Sequence, residues 1–305
     1  MKIYKKEIKE HDNWSYVENE ILKINDDGIF ISFCDNFFIE ENMIIKSKWY
    51  GIIHNPVGWE DYTPWSNKKT IFESKYFIES LKYCKVLFVM AKTQVIKIQK
   101  KIIELGYNNI KIINLYHPIR RMNNEFSYIK YKNNKNKVIC SIGNWLRKHY
   151  NIFKLKTNKK FLKAIIPYNK RTNLELEYYV KRDKINININ EYNSVLQVKY
   201  LQKEDYHKIF ESNIILLDLY LTTINNTFLE ALISNTPILL NRKQEYIDLI
   251  GKDYPLFFDN ISEINSLIND DKNILNATNF LKRIDKKKFN INFFIDSIIQ
   301  NIKHS

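Results

Sequence analysis

Short apolar runs alternate along the chain with longer stretches in which apolar residues recur every three or four positions. In the first part the runs fall at 28–33, 50–53, 86–90 and 111–115; in the second they fall at 138–142, 164–166, 195–201, 214–217, 238–240 and 256–258. They are short, rich in β-branched residues and continuous rather than alternating, the pattern of strands buried on both faces of a parallel sheet. With helical stretches between them they predict an α/β architecture, and the signature occurs twice. A polar stretch at 123–136 separates the two sets and marks the expected boundary and hinge. Residues 185–190 alternate Ile and Asn and read as a weakly specified strand. Near the end, Ile291, Phe294, Ile295, Ile298 and Ile302 keep helical spacing and predict an amphipathic helix with one buried stripe.

A length of 305 residues suits two domains, with expected extents 1–122, 123–285 and a terminal helix over 286–305. No apolar run is long enough to cross a bilayer, and the first residues alternate Lys and Glu instead of building a signal core, so a cytoplasmic location is expected. Cys34, Cys84 and Cys140 lie far apart and read as buried thiols without a structural zinc. The formal charge is +14, and its distribution says more than its size. Residues 120–184 hold 18 basic and 4 acidic side chains, whereas the flanking segments are nearly balanced. That window runs from Arg120 through Lys135, Arg147, Lys148, Lys160 and Arg171 to Lys184. It calls for an anionic partner, be it a nucleotide phosphate, a nucleic-acid backbone or an acidic membrane surface, or else forms a solvated lysine-rich face.

Several chemistries have no motif here. The glycines, Gly28, Gly51, Gly58, Gly106, Gly143 and Gly251, make neither a dinucleotide fingerprint nor a P-loop. The histidines, His11, His54, His117, His149, His207 and His304, show no close ligand spacing, and no DxD pair offers a divalent site. No GxSxG elbow supports a serine hydrolase. Phosphate charge must then be met by side-chain cations and helix N-termini.

The segment 205–258 carries the most information. A helix over 203–212 and a strand over 213–218 lead into a polar loop ending in Asn225, Asn226 and Thr227, which opens onto a helix over 228–233. Free N–H groups at such a helix start attract anions. Glu230, one turn in, either accepts hydroxyl hydrogen bonds from a ribose or is a solvated helix carboxylate. Asn235 and Pro237 end the helix, Asn235 tolerating the left-handed conformation there.

This stretch, Asn225 to Leu240 followed by Glu245, Tyr246 and 253–258, resembles the donor-binding half of GT-B-fold glycosyltransferases. Val138 to Ile142 with Gly143, Asn144, Trp145, Leu146, Arg147 and Lys148 resembles the first strand and glycine loop of that half, and 51–56 resembles the acceptor half. The resemblance implies two Rossmann-like domains facing across a cleft, with the terminal helix returning to the first. It also implies that Glu230 holds the ribose, that Gly143, Asn144, Asn226 and Thr227 lie beside the diphosphate, and that Arg147 and Lys148 neutralise it. The sequence departs from many retaining members in placing Thr222, not a glutamate, eight positions before Glu230; Asp218 is the nearby carboxylate.

His54, at the end of a strand, could act as general base on an acceptor hydroxyl, hydrogen-bond the donor sugar or be structural. Glu60 and Asp61 are the second choice of base. Trp49 reads as core, Trp59 or Trp65 as a cleft residue. The expected activity is metal-independent transfer of a sugar from a UDP- or GDP-sugar to a glycan or glycoconjugate hydroxyl, with no cofactor, no nucleic-acid partner and peripheral membrane contact through the basic surface. Two other readings stay open: a nucleic-acid-binding protein using the basic window, and a sugar-nucleotide epimerase of the same fold.

Overall fold

The computed structural model describes residues 1–4, 14–65, 69–120, 122, 124–157 and 161–303. His11, Asn123, Lys160 and His304 lie outside the described residues. The chain divides into two compact units: Met1–Asp61, Trp65–Arg120 and Lys286–Ser305 form one, Tyr62–Pro64 and Arg121–Asp285 the other.

The first unit runs β1 (Lys2–Tyr4), α1 (Ser15–Leu22), β2 (Ile29–Ile31), α2 (Cys34–Glu40), β3 (Trp49–Ile53), α3 (Lys75–Ser80), β4 (Cys84–Val89), α4 (Lys92–Glu104) and β5 (Lys111–Asn114). Its strands lie in the order β1-β2-β3-β4-β5, all parallel. The helices that follow β2, β3 and β4 lie on one face, as right-handed crossovers between strands laid successively in one direction require, whereas α1, between β1 and β2, lies on the other. One core accordingly gathers Phe37, Phe38, Phe77, Ile98 and Ile102 from α2, α3 and α4. The opposite face presents Phe30, Tyr50, Ile52, Val86 and Phe88, and α1 covers part of it with Val17 and Ile21. Trp49 is fully buried as expected, its indole N–H donating to the Ser80 carbonyl at 2.7 Å.

The second unit runs α5 (Tyr128–Asn133), β6 (Lys137–Ile142), α6 (Tyr150–Lys154), β7 (Phe161–Ile166), α7 (Lys170–Arg182), α8 (Ile189–Asn193), β8 (Val195–Gln197), α9 (Lys203–Ser212), β9 (Ile214–Leu217), α10 (Asn226–Ile233), β10 (Ile238–Asn241), α11 (Gln244–Ile250), β11 (Phe257–Phe258), α12 (Ile264–Asn269) and α13 (Asp271–Arg283). Its sheet has the order β11-β10-β9-β6-β7-β8, again all parallel. The chain steps outward from β6 to β8, then returns to the other side of β6 at β9. The strand order therefore reverses between β6 and β9, and open α/β sheets bind ligands outside the carboxyl ends of strands at such a reversal.

The last helix, α14 (Ile291–Lys303), belongs to the first unit and completes its second core with Phe294, Ile298 and Ile302. Each expected apolar run carries a strand, while β1 is a further strand whose brevity gave no periodic signal. The alternating segment at 185–190 is not a strand. Asn188 accepts from the Glu191 N–H at 3.0 Å and the Glu191 carboxylate accepts from the Asn188 N–H, a reciprocal cap that starts α8. The three cysteines are buried and free. Among the described residues no helix is long and apolar enough to cross a membrane, and no cluster of metal-ligating side chains is found.

Candidate functional site

The reversal in the second unit is lined by the loop after β6, which carries Gly143 to His149, and the loop after β9, which begins at Asp218. The two are tied together: the Lys148 N–H donates to the Asp218 carbonyl at 2.8 Å, the Tyr220 N–H to the Leu146 carbonyl at 3.0 Å, and Arg147 bridges Leu219. Gly143 turns the chain off β6 with φ +85°, a conformation that side-chain-bearing residues rarely adopt. Asn144 is held from both ends, its carbonyl 3.0 Å from His149 Nε2 and its Oδ1 accepting from Thr172 Oγ1 at 2.8 Å.

Arg147 folds back into the loop. Its Nε donates to the Ile142 carbonyl at 2.9 Å and its Nη1 to the Trp145 carbonyl at 3.1 Å, and the residue is 8% exposed. Burial pushes its pKa down, while Tyr246, Glu175, Tyr206 and Tyr179 act the other way. A guanidinium keeps its charge in a protein. Among the described residues none forms an ion pair with it, so a buried cation stands at the reversal without a carboxylate in contact. Lys148 is used differently. Its Nζ pairs with Asp218 Oδ1 at 3.4 Å and lies 5.5 Å from the Tyr220 ring centroid. Asp218, whose other oxygen accepts from Asn151 at 2.6 Å, is pushed up by burial and held back by Lys148.

Helix α10 begins at Asn226, but its cap is Asn225, whose Oδ1 accepts from the Phe228 N–H at 2.9 Å and whose amide donates to Tyr246 Oη at 2.8 Å. Asn226 is exposed at the first helical position and Thr227 is buried. Tyr246 is fully buried with its ring 4.7 Å from that of Phe228. Thr222, which stands where many retaining enzymes have a glutamate, is buried and hydrogen-bonds Tyr246. Glu230 is partly buried and accepts from Tyr206 Oη at 2.5 Å; burial raises its pKa and that hydrogen bond opposes the rise. Asn235 takes the left-handed conformation at φ +58°, as its place after the helix predicts.

Gly143, Asn144, Arg147, Lys148, Asn226, Thr227 and Glu230 thus all belong to the two loops and the helix at one reversal. The sequence reading missed Tyr206, the capping role of Asn225 and the buried His149–Glu175 pair, whose Nε2 and Oε2 are 3.8 Å apart. Tyr206 had a usable signal: it lies four residues before buried Phe210 on α9, and a phenol on a core-facing stripe needs a hydrogen-bond partner.

Much of the basic window is consumed inside the unit. Lys163 is buried and donates to the Leu155 carbonyl at 3.0 Å, and Lys137 is buried against the Lys132 and Asn134 carbonyls. Lys154 pairs with Glu191, Lys130 with Glu211 and Arg171 with Glu175. Arg182 stacks 4.1 Å from the Tyr62 ring centroid.

His54 belongs to the first unit, at the end of β3. Its Nε2 lies 2.8 Å from the Ser32 carbonyl, which can only accept, so Nε2 carries the hydrogen. The ring stacks on Phe33 at 4.4 Å, and the His54 N–H donates to Asp35 Oδ2 at 2.6 Å. Trp59 and Glu60 line a cavity of about 190 Å³ in this unit with Asp35, Asn55 and Phe72.

No protein-family model and no curated protein sequence matches the chain. Solved structures do. A UDP-forming α,α-trehalose-phosphate synthase from Burkholderia xenovorans, in complex with glucose-6-phosphate, superposes with a TM-score of 0.64 at 10% identity over 95% of this chain and 75% of its own. The sucrose-phosphate synthase of Thermosynechococcus elongatus gives 0.63 at 9% identity over 95% and 77%. The N-terminal domain of Candida albicans trehalose-6-phosphate phosphatase gives 0.57 at 14% identity over 95% and 73%. The two synthases are GT-B glycosyltransferases, and the chain shares their fold, with two parallel-sheet α/β units.

Proposed function

We propose that this protein is a glycosyltransferase that moves a sugar from a nucleotide-diphosphate donor to a hydroxyl acceptor without a metal ion. The observation that carries the reading is Arg147: a buried guanidinium, bonded only to carbonyls, at the strand reversal where an α/β sheet takes its ligand. Burying a cation without a counter-ion is costly, and an arriving diphosphate would supply one with bidentate geometry. The fold shared with the two sugar-phosphate synthases supports the same reading and favours a phosphorylated sugar among the acceptors.

Each group then has a task. The α10 N-terminus, with Asn226 and Thr227, and the loop from Gly143 to Lys148 flank the diphosphate, and Glu230 faces the ribose. As the glycosyl–phosphate bond breaks, negative charge grows on the departing diphosphate, where Arg147 and the N–H groups are already oriented. One such donor is worth about 100-fold or more in rate. His54, its tautomer set by the Ser32 carbonyl, is the candidate base on an acceptor hydroxyl in the first unit.

A thermal-shift series with UDP-, GDP- and dTDP-sugars in excess EDTA tests the reading, because a ligand of the native state raises its melting temperature. We expect one nucleotide class to stabilise the protein, and its sugar to be transferred once a sugar phosphate or glycan is added. Release of an epimerised sugar with donor alone would favour the epimerase. Absence of any nucleotide effect, with steeply salt-dependent oligonucleotide binding, would overturn the proposal.

A further inference from the structure

Tyr206 lies on α9, away from both loops at the reversal, yet its hydroxyl is where the candidate side chains meet. It donates to Glu230 Oε2 at 2.5 Å, and Thr227 and the charge of Arg147 both act on it against the upward push of burial. The ring is fixed in turn, lying edge-on to buried Phe210 with centroids 5.4 Å apart. Among the described residues no donor reaches Glu230 Oε1.

We infer that Tyr206 is a positioning residue for the nucleotide: by holding Glu230 Oε2 through its hydroxyl, it presents Oε1 to the sugar hydroxyls of the ribose. The inference rests on the proposed donor reading and adds to it a residue that fixes ribose discrimination. A glutamate side chain has enough rotamer freedom that ordering it on binding weakens affinity. A carboxylate already clamped on one oxygen has lost that freedom before the nucleotide arrives, so the ligand gains the contact at less entropic cost. Burial raises the pKa of the carboxylate, and the Tyr206 hydrogen bond works against that rise in favour of the charged form. A purely structural tyrosine would tie α9 to α10 without affecting how ribose is distinguished from deoxyribose.

The test compares UDP with 2′-deoxy-UDP, and GDP with 2′-deoxy-GDP, by isothermal titration of the full chain. Wild type should prefer the ribonucleotide by about tenfold or more, the size of a hydrogen bond to a charged group. Tyr206→Phe keeps the ring on Phe210 and should bring that preference to within about twofold, leaving the affinity for the deoxynucleotide, which is set by the phosphates, unchanged. Glu230→Gln should show the same loss of preference, and the double variant should lose no more than either single one. If wild type binds no nucleotide, the donor reading itself falls and the inference with it. If wild type prefers the ribonucleotide and Tyr206→Phe, still cooperatively folded, prefers it equally, the donor reading stands and the positioning role is refuted.

Discussion

A Cβ built on Gly143 would stand 2.7 Å from Arg147 Nη2. The glycine therefore makes room for the arginine of its own loop, and this is what allows the guanidinium to lie back against the end of β6 and reach the Ile142 carbonyl. The loop shapes a seat for a cation first, and for a ligand through that cation.

Gly143→Ala combines a steric clash with an unfavourable backbone conformation at φ +85°. A left-handed position occupied by a non-glycine residue costs about 1–3 kcal/mol. We expect a lower melting temperature and weaker nucleotide binding together, because Arg147 must move. Calorimetry and titration on the same preparation check this; a variant with unchanged stability and affinity would show that the loop relaxes freely.

Arg147→Ala leaves two carbonyls without their donor and removes the charge at the reversal. Nucleoside diphosphate affinity should fall by about tenfold or more, the scale of a charge-assisted hydrogen bond. Binding of the bare nucleoside should hardly change. Equal losses for nucleoside and diphosphate would point to collapse of the loop rather than loss of a phosphate contact.

Helix α14 shares with α1 the cover of the sheet face that α2, α3 and α4 leave bare. Truncation after Asp285 should expose Phe30, Tyr50, Ile52, Val86 and Phe88, with dye binding and aggregation as the readout. The milder Phe294→Ala removes a fully buried ring and should cost about 3–5 kcal/mol by denaturant titration. A truncated chain that stays monomeric with a cooperative melt would contradict this account.

Two groups in the first unit make stability depend on pH in opposite senses. Burial lowers His117 from 6.5 to about 4, so the folded state binds fewer protons than the unfolded one between those values, and stability is lost as pH falls through them. Burial raises Asp35 from 3.8 to about 6, so in its window the folded state binds more protons and stability is lost as pH rises. The two windows overlap and oppose each other, so His117→Asn should leave a stability that falls as pH rises from about 4 to about 6, and Asp35→Asn one that rises with pH from about 4 to 6.5. Identical profiles for both variants and wild type would refute the assignments.

The fold was largely legible because burial and period are local properties. Apolar runs located the strands, and Asn235 was recognisable as a helix terminator from its neighbours alone. The stripe of α14 showed that the helix must be buried, though not that it completes the first unit. The alternating segment at 185–190 misled because an Asn–Glu capping pair outweighs two-residue alternation in so short a stretch. Within the site, the glycine loop and Glu230 stood out, but Asn225 rather than its neighbours caps α10, since which of three adjacent polar residues turns inward depends on the path of the loop.

The amino-acid order alone determined that two parallel α/β units would form, where a helix start would follow a polar loop, and which cations and carboxylates were available. Tertiary structure decided their use. Arg147 is buried against carbonyls, Lys148 is taken by Asp218, and Glu230 is held by Tyr206, 24 residues away in the chain. The Lys148–Asp218 pairing arises because the strand order reverses and brings the loops after β6 and β9 side by side, and the Tyr206–Glu230 pairing because α9 comes next to α10. Local propensity fixes where a chain turns, and Arg147 is seated by its own loop, whereas the partners of Lys148 and Glu230 are set by the distant segments that the sheet makes adjacent.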